Sequence, residues 1–295
     1  MGIVAVSGEA FIFLRIVGWR WLIIIVSLPA VPALVLILVL PESPRFLCVS
    51  GQQDKAMQAV RFMAKLNGKK LKENVRMSCF QNEDLGSYSK ILNEEHRKST
   101  IGLSVMYFNN IFLDFGFIVF LPLMLSSNFC GASATPENKC QLLSQRDLLE
   151  ITIAGMFGVF GAIAAFVLGQ LVGRLQPLRV ASGLLIIGVA GLFVCVNHFV
   201  TIVTAVVIKF LELYINTTIW IMIPESFPTN IRSTATGFIN GWGKLGGVFG
   251  TGCAYLLFYT SPYLIIGLFF ISSIAVFITS IIYDKETKDV VLQET

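Results

Sequence analysis

The sequence predicts an all-α polytopic membrane protein, and three observations predict it. Hydrophobic residues make up 55% of the chain and charged residues only 14%, with a mean hydropathy of +0.75, which excludes a water-facing globular surface. The apolar residues gather into blocks of about 20, the length a helix needs to cross roughly 30 Å of hydrocarbon. The Lys and Arg residues fall unevenly on the segments between those blocks, the pattern that orients a multi-spanning protein.

Taken in order, Gly2–Leu14 is apolar but carries Glu9 in mid-run and is too short to span. It lacks the positive leader and small-residue cleavage site of a signal sequence, so the first full span, Trp21–Leu40, acts as signal. Pro41–Ser99 is the one long polar stretch. Within it Ser50 followed by Gln53 reads as a capping box and Asn67-Gly68 as a helix stop. Met57, Val60, Met63 and Ala64 give the enclosed helix one apolar side. That helix lies either against the cytoplasmic ends of the spans or in solvent as a linker. Six further spans follow: Thr100–Ser126, Ile151–Val172, Val180–Val196, Val200–Ile223, Ala235–Phe258 and Tyr263–Tyr283.

Eleven Lys and Arg fall in Pro41–Ser99, two (Arg174 and Arg179) in the loop to Arg179, one at Arg232 and two in the tail from Asp284, against four (Arg15, Arg20, Lys139, Arg146) on the alternate side. The long loop and the tail are therefore expected in the cytoplasm. Cys130 and Cys140 then share an outside loop where oxidation is permitted, and form either a disulfide or two free thiols. The six cysteines are scattered without a C-x-x-C pair and only two histidines accompany them, so no metal site and no cofactor are expected. No nucleophile, base and acid come together in the pattern, so the chain reads as no enzyme. No nucleic-acid partner is expected either.

Charges inside spans are costly, at about 2.5–3.5 kcal/mol each near mid-bilayer, so Asp114, Lys209, Glu212 and Lys244 call for a reason. Asp114 shares a helix face with Tyr107 and Asn110, at the depth where secondary transporters bind substrate. The bland alternative is an aspartate hydrogen-bonded between packed helices. Lys209, Glu212, Asn216 and Trp220 recur at three, four and four, one stripe that suggests a cavity wall. Against that stands a Lys209–Glu212 pair that merely neutralises itself. Thr236, Asn240 and Lys244 form a third stripe, beside Gly243, Gly246, Gly247 and Gly250, whose spacing lets another helix approach closely. Asn240 and Lys244 face either the cavity or a neighbouring half. The Asn216-Thr217-Thr218 glycosylation pattern lies inside a span and is discarded.

The run Pro41-Glu-Ser-Pro-Arg-Phe-Leu47 resembles the signature that ends the sixth helix of sugar and organic-ion transporters of the major facilitator superfamily. Pro224-Glu225-Ser226-Phe227-Pro228-Thr229-Asn230-Ile231-Arg232, followed by Gly237, is similar to that family's junction between helices ten and eleven. Glu286-Thr287-Lys288 with Leu292-Gln293-Glu294 resembles its tail motif. Thr236-Gly-Phe-Ile-Asn240 with Lys244 and Val291-Leu-Gln-Glu294 are most similar to the synaptic vesicle glycoprotein 2 group and its related proteins.

This resemblance implies a partial major facilitator fold, from a remnant of helix five to helix twelve. The implied division is 1–40 (remnant plus helix six), 41–99 (cytoplasmic central loop), 100–283 (a six-helix half) and 284–295 (cytoplasmic tail). It also implies that the N-terminal half is missing, as in a fragment, a splice form or a truncated gene model. Glu42, Arg45, Arg174, Glu225 and Arg232 fall on the cytoplasmic gate motifs. In Gln170-Leu-Val-Gly173-Arg174 the aspartate and arginine usual in relatives are absent, which leaves Arg174 to pair with Glu225.

The function implied is transport of a small organic solute by alternating access, in the plasma membrane or an intracellular vesicle. Asp114 and Glu212 are the candidates for coupling to a proton or cation, and Tyr107, Asn110, Asn216 and Trp220 for lining the site. Its partners would be the lipid bilayer, the solute and the missing N-terminal half or a second copy. The competing expectation is a non-transporting membrane protein with a binding or regulatory role. A seven-helix receptor fails on the long basic loop and the three transporter motifs.

Overall fold

Apolar runs in lipid must satisfy their backbone internally, and a helix does so within one segment. The computed structural model describes residues 2–49, 51–69, 88–126, 144–194 and 197–286, and every regular element among them is a helix. In chain order these are α1 (Gly2–Ser27), α2 (Ala30–Val39), α3 (Pro44–Val49), α4 (Gln53–Leu66), α5 (Tyr88–Ile91), α6 (Glu94–Ser126), α7 (Gln145–Leu171), α8 (Leu175–Gly191), α9 (His198–Glu225), α10 (Thr229–Thr260) and α11 (Pro262–Ile282).

The N-terminal region differs from the sequence reading. The helix of Gly2–Leu14 runs on into the first span, broken only at Gly18, where φ is 78°. The apolar segment Ile16–Leu38 is long enough to cross, and none of it is buried within the chain. Leu34, Ile37 and Leu38 point outward, as a lipid- or partner-facing helix requires.

In the polar stretch α4 begins at Gln53 with Gln52 as its N-cap and no side-chain cap. The expected capping box turns on Ser50, which lies outside the described residues. A turn through Gly51, at φ 78°, and a bond from Gln52 N to Leu47 O join α3 directly to α4. The stop at Asn67-Gly68 has a physical form: Gly68 is left-handed at φ 66°, Gly68 N donates to Lys65 O, and Lys69 N donates to Ala64 O. That is the doubly bonded glycine cap that uses up orphan carbonyls. α4 meets α3 through Ala56 and Ala59, which form with Leu47 and Cys48 a cluster separate from the main core, while Met63 of the expected apolar side is exposed.

Four other helices, α6, α7, α9 and α11, are long and apolar enough to cross a membrane. Of the seven expected spans two fall short by those measures. α8 has 17 residues, about 26 Å at 1.5 Å per residue. α10 has 32 residues, but its seven glycines, with Asn240 and Lys244, keep it less apolar.

Those glycines are used. A Cβ at Gly246 or Gly250 would run into the carbonyl oxygens of Phe108 and Phe112, so α10 lies backbone-to-backbone on α6. Gly161 does the same for α7 on α9, against Phe210 O. Close approach of this kind is how apolar helices gain contact in lipid, where hydrophobic burial drives nothing. An aromatic cluster ties α6 to α10 and α11: Phe120 packs edge-on against Phe258 and Phe269, with centroids 5.9 and 5.7 Å away.

Candidate functional site

Helix periodicity puts Tyr107, Asn110 and Asp114 on one face of α6, and Lys209, Glu212, Asn216 and Trp220 on one face of α9. The structure turns these two stripes toward each other. At one end Tyr107 and Trp220 meet edge-to-face with ring centroids 5.9 Å apart. At the other, Lys209 Nζ donates to Asp114 Oδ1 at 2.9 Å and to Asp114 O at 3.3 Å. The order of these contacts shows that the two helices run antiparallel.

Lys209 also lies 2.7 Å from Glu212 Oε2, one turn along its own helix. That approach is an ion pair without the alignment of a hydrogen bond, because neither oxygen of Glu212 has a hydrogen-bond partner. The ammonium further sits 5.2 Å from the Phe117 ring centroid. Asp114, Lys209 and Glu212 are 4%, 7% and 0% exposed, so one cation and two carboxylates are buried together inside the helix bundle. Desolvating ions costs several kcal/mol each, and a pocket with unequal charges does not recover it by pairing alone.

Between the two ends of the seam lie Asn110 and Asn216. Asn110 is 1% exposed, and neither its Oδ1 nor its Nδ2 has a partner; Asn216 Oδ1 is likewise buried and unpaired. A buried amide left unsatisfied is expensive, so this seam is built for a polar guest or for water. Asn240 on α10 adds a third orphan oxygen. Lys244 stands apart from the triad: it is exposed and turns its ammonium to the Phe115 ring, 5.5 Å from its centroid. Beside it a cleft of about 260 Å³ opens on the outer face of α10, lined by Tyr88, Gly237, Phe238, Gly241, Trp242 and Leu245.

A second charged cluster joins the N-terminus of α8 to the end of α9 and to the chain beyond α11. Arg174 grips Glu225 with both forks, Nε to Oε2 at 3.0 Å and Nη2 to Oε1 at 2.6 Å. This bidentate geometry is available to arginine and not to lysine. Glu286, 112 residues further on, accepts from the backbone N–H groups of Arg174 and Leu175 at 2.9 and 3.1 Å. It thereby places a carboxylate at the N-terminus of α8, where the helix dipole favours one. Gly173, at φ 117°, makes the turn, and a Cβ there would stand 3.2 Å from Glu286 Oε2. Arg179 donates to the carbonyls of Ser280 and Tyr283 at the end of α11, and Tyr283 Oη lies 2.8 Å from Ser226 Oγ.

The remaining gate candidates are placed differently. Arg232 Nε donates to Phe227 O at 3.2 Å, a local contact in the turn between α9 and α10. Glu42 is exposed before α3. Arg45 lies on α3, with its side chain outside the described residues, and Cys130 and Cys140 are outside them too. A third cluster was not anticipated from sequence. In the first turns of α7, Glu150 Oε1 accepts from Arg146 Nε at 3.0 Å and lies 3.1 Å from His198 Nε2 on α9. Only the four-residue spacing of Arg146 and Glu150 hinted at it. Among the described residues no group of His, Cys, Asp and Glu could hold a metal ion.

The model of the Major Facilitator Superfamily matches residues 2–251. The chain belongs to this superfamily. Within it, the chain is 25% identical over 292 residues to the synaptic vesicle 2-related protein of Pongo abelii, covering 94% of this chain and 52% of that one. It is 26% identical over 232 residues to the arabinose-proton symporter of Bacillus subtilis (strain 168), covering 75% and 46%. A gallate transporter of Pseudomonas putida is 24% identical over 257 residues, covering 79% and 50%. The chain thus spans about half the length of the curated relatives it matches. This is a multi-pass membrane protein with a partial major facilitator fold.

Proposed function

We propose that this chain contributes the C-terminal half of a secondary carrier, which moves a small organic solute across the plasma or an intracellular vesicle membrane by alternating access. The observation that carries the reading is the seam between α6 and α9, with a charged triad at mid-span and orphaned amides beside it. A bundle built only to hold helices together gains nothing from three buried ionisable groups. In this reading Asn110, Asn216, Tyr107 and Trp220 contact the solute, and the triad couples its movement to a proton or another cation. Arg174, Glu225 and Glu286 hold the cytoplasmic side shut. The named functions of the relatives, which include a sugar-proton symporter and a gallate transporter, support a solute carrier. No enzymatic step is involved.

Alternating access needs two halves moving about a midplane site, and this sets the test. Proteoliposomes would be loaded with the chain alone, or with the chain joined to an N-terminal half from a relative, and offered arabinose, gallate or tetraethylammonium under a pH gradient. The reading expects saturable uptake of one of these by the joined protein and none by the chain alone. Binding without uptake by the joined protein would replace it with the non-transporting, regulatory reading.

A further inference from the structure

We propose that the second half of α4 is a lipid-binding surface, which lies on the bilayer where the first span ends and takes anionic phospholipid head groups. Its occupant is a leaflet and not a solute, so it stands apart from the carrier reading above.

α3 and α4 differ in length. α3 has six residues and α4 fourteen, about 9 and 21 Å at 1.5 Å per residue. Ala56 and Ala59, in the first half of α4, are buried against Leu47 and Cys48 of α3. Met63 and then Leu66 continue the same face at spacings of four and three, and α3 is too short to cover them. They are 42% and 68% exposed, and Phe62 beside them is half-buried. In water these apolar groups gain nothing, and a helix of this length is marginal when so little of it is packed.

The charges around this patch select its cover. Lys55, Arg61 and Lys65 on α4, and Lys69 just after the Gly68 stop, are all exposed, against one acid in the helix, Asp54. Arg61 and Lys65, four residues apart, form an edge beside Phe62. A helix with an apolar face bordered by Lys and Arg lies in the plane of a membrane interface, its apolar side among acyl chains and its cations at the phosphates. Four exposed cations around so small an apolar patch call for a cover rich in negative charge, and an anionic leaflet supplies one along the whole helix.

The course of the chain brings the helix to that leaflet. The apolar run Ile16–Leu38 ends with α2 at Val39, α3 starts five residues later at Pro44, and the turn at Gly51 sets α4 against α3. The eleven Lys and Arg of Pro41–Ser99 are the bias expected on the side that faces anionic lipid.

Hydrogen–deuterium exchange of the whole chain in lipid nanodiscs tests the surface without any substitution. One set of discs would hold phosphatidylcholine alone, and the other phosphatidylcholine mixed with phosphatidylserine. Peptides covering 53–66 should exchange more slowly by about tenfold or more in the phosphatidylserine discs, and high salt should shrink the difference. Peptides of α9 should exchange alike in both. Lys65→Glu/Lys69→Glu should abolish the difference, and Met63→Ser/Leu66→Ser should remove most of it. Slow exchange of 53–66 in both sets would mean that protein covers this face, and fast exchange in both that water does; either would overturn the proposal. So would protection by inorganic phosphate in phosphatidylcholine discs, which would make the occupant a free anion.

Discussion

The two charged clusters of this molecule are built on opposite accounts of charge. At the N-terminus of α8 Arg174 meets Glu225 in a two-pronged bond, and Glu286 is answered by the helix N-terminus itself. Each charge there has a counterpart, and water is within reach. At mid-span Asp114 and Glu212 share Lys209, and one carboxylate oxygen has nothing. Balanced clusters at an edge can hold an interface and release it. An unbalanced cluster in a dry interior can hold only by taking something up.

The sharpest way to break this contrast is to remove the shared cation. Lys209→Met strands two buried carboxyls, and removal of one partner from a buried ion pair costs about 3–5 kcal/mol. It should melt well below the wild type in detergent, and below Asp114→Asn or Glu212→Gln. A melting temperature equal to the wild type would mean that the triad is hydrated.

A second test sets the helix packing against both clusters. Gly161→Leu and Gly250→Leu place side chains against the carbonyls of Phe210 and Phe112, and overpacking of this kind costs about 1–3 kcal/mol. Gly237→Ala and Gly241→Ala meet nothing within 4 Å, and thermal melts should leave them near the wild type. Equal losses at all four positions would show that α7 and α10 are held otherwise.

The Arg174 cluster should respond more mildly. Arg174→Lys keeps the charge but loses the fork, and Glu286→Gln weakens the helix-end interaction by about 0.3–1 kcal/mol. Both should raise the reactivity of a cysteine placed at Ser226 toward a soluble thiol reagent. Unchanged reactivity would remove this cluster from any gating role. The smallest effect belongs to Arg146→Ala at the start of α7, where the arginine side chain is 74% exposed and the pair is worth less than about 1 kcal/mol. Glu150→Gln, which disturbs the His198 contact as well, should cost more in the same melt.

How far the sequence foretold all this varies with the range of the interaction. Span existence was legible from apolar length, and so was the face shared by Tyr107, Asn110 and Asp114, because both depend on neighbours within a few turns. The Lys209–Glu212 contact was readable from its three-residue spacing. The reach of Lys209 to Asp114 was not, since 95 residues separate them and periodicity says nothing about which faces meet. Glu286 was visible as part of a tail motif, yet its role at the N-terminus of α8 depends on α11 ending beside Gly173.

The central claim is that the mid-span triad is kept for what it binds and not for holding α6 to α9. Thermal melting of the triple variant Asp114→Asn/Lys209→Met/Glu212→Gln tests it most directly, because replacing a whole buried ion set with neutral groups is often neutral or stabilising. The account predicts a melting temperature at or above that of the wild type, and well above that of Lys209→Met. A triple variant that melts as low as Lys209→Met alone would contradict it and make the triad a structural clamp.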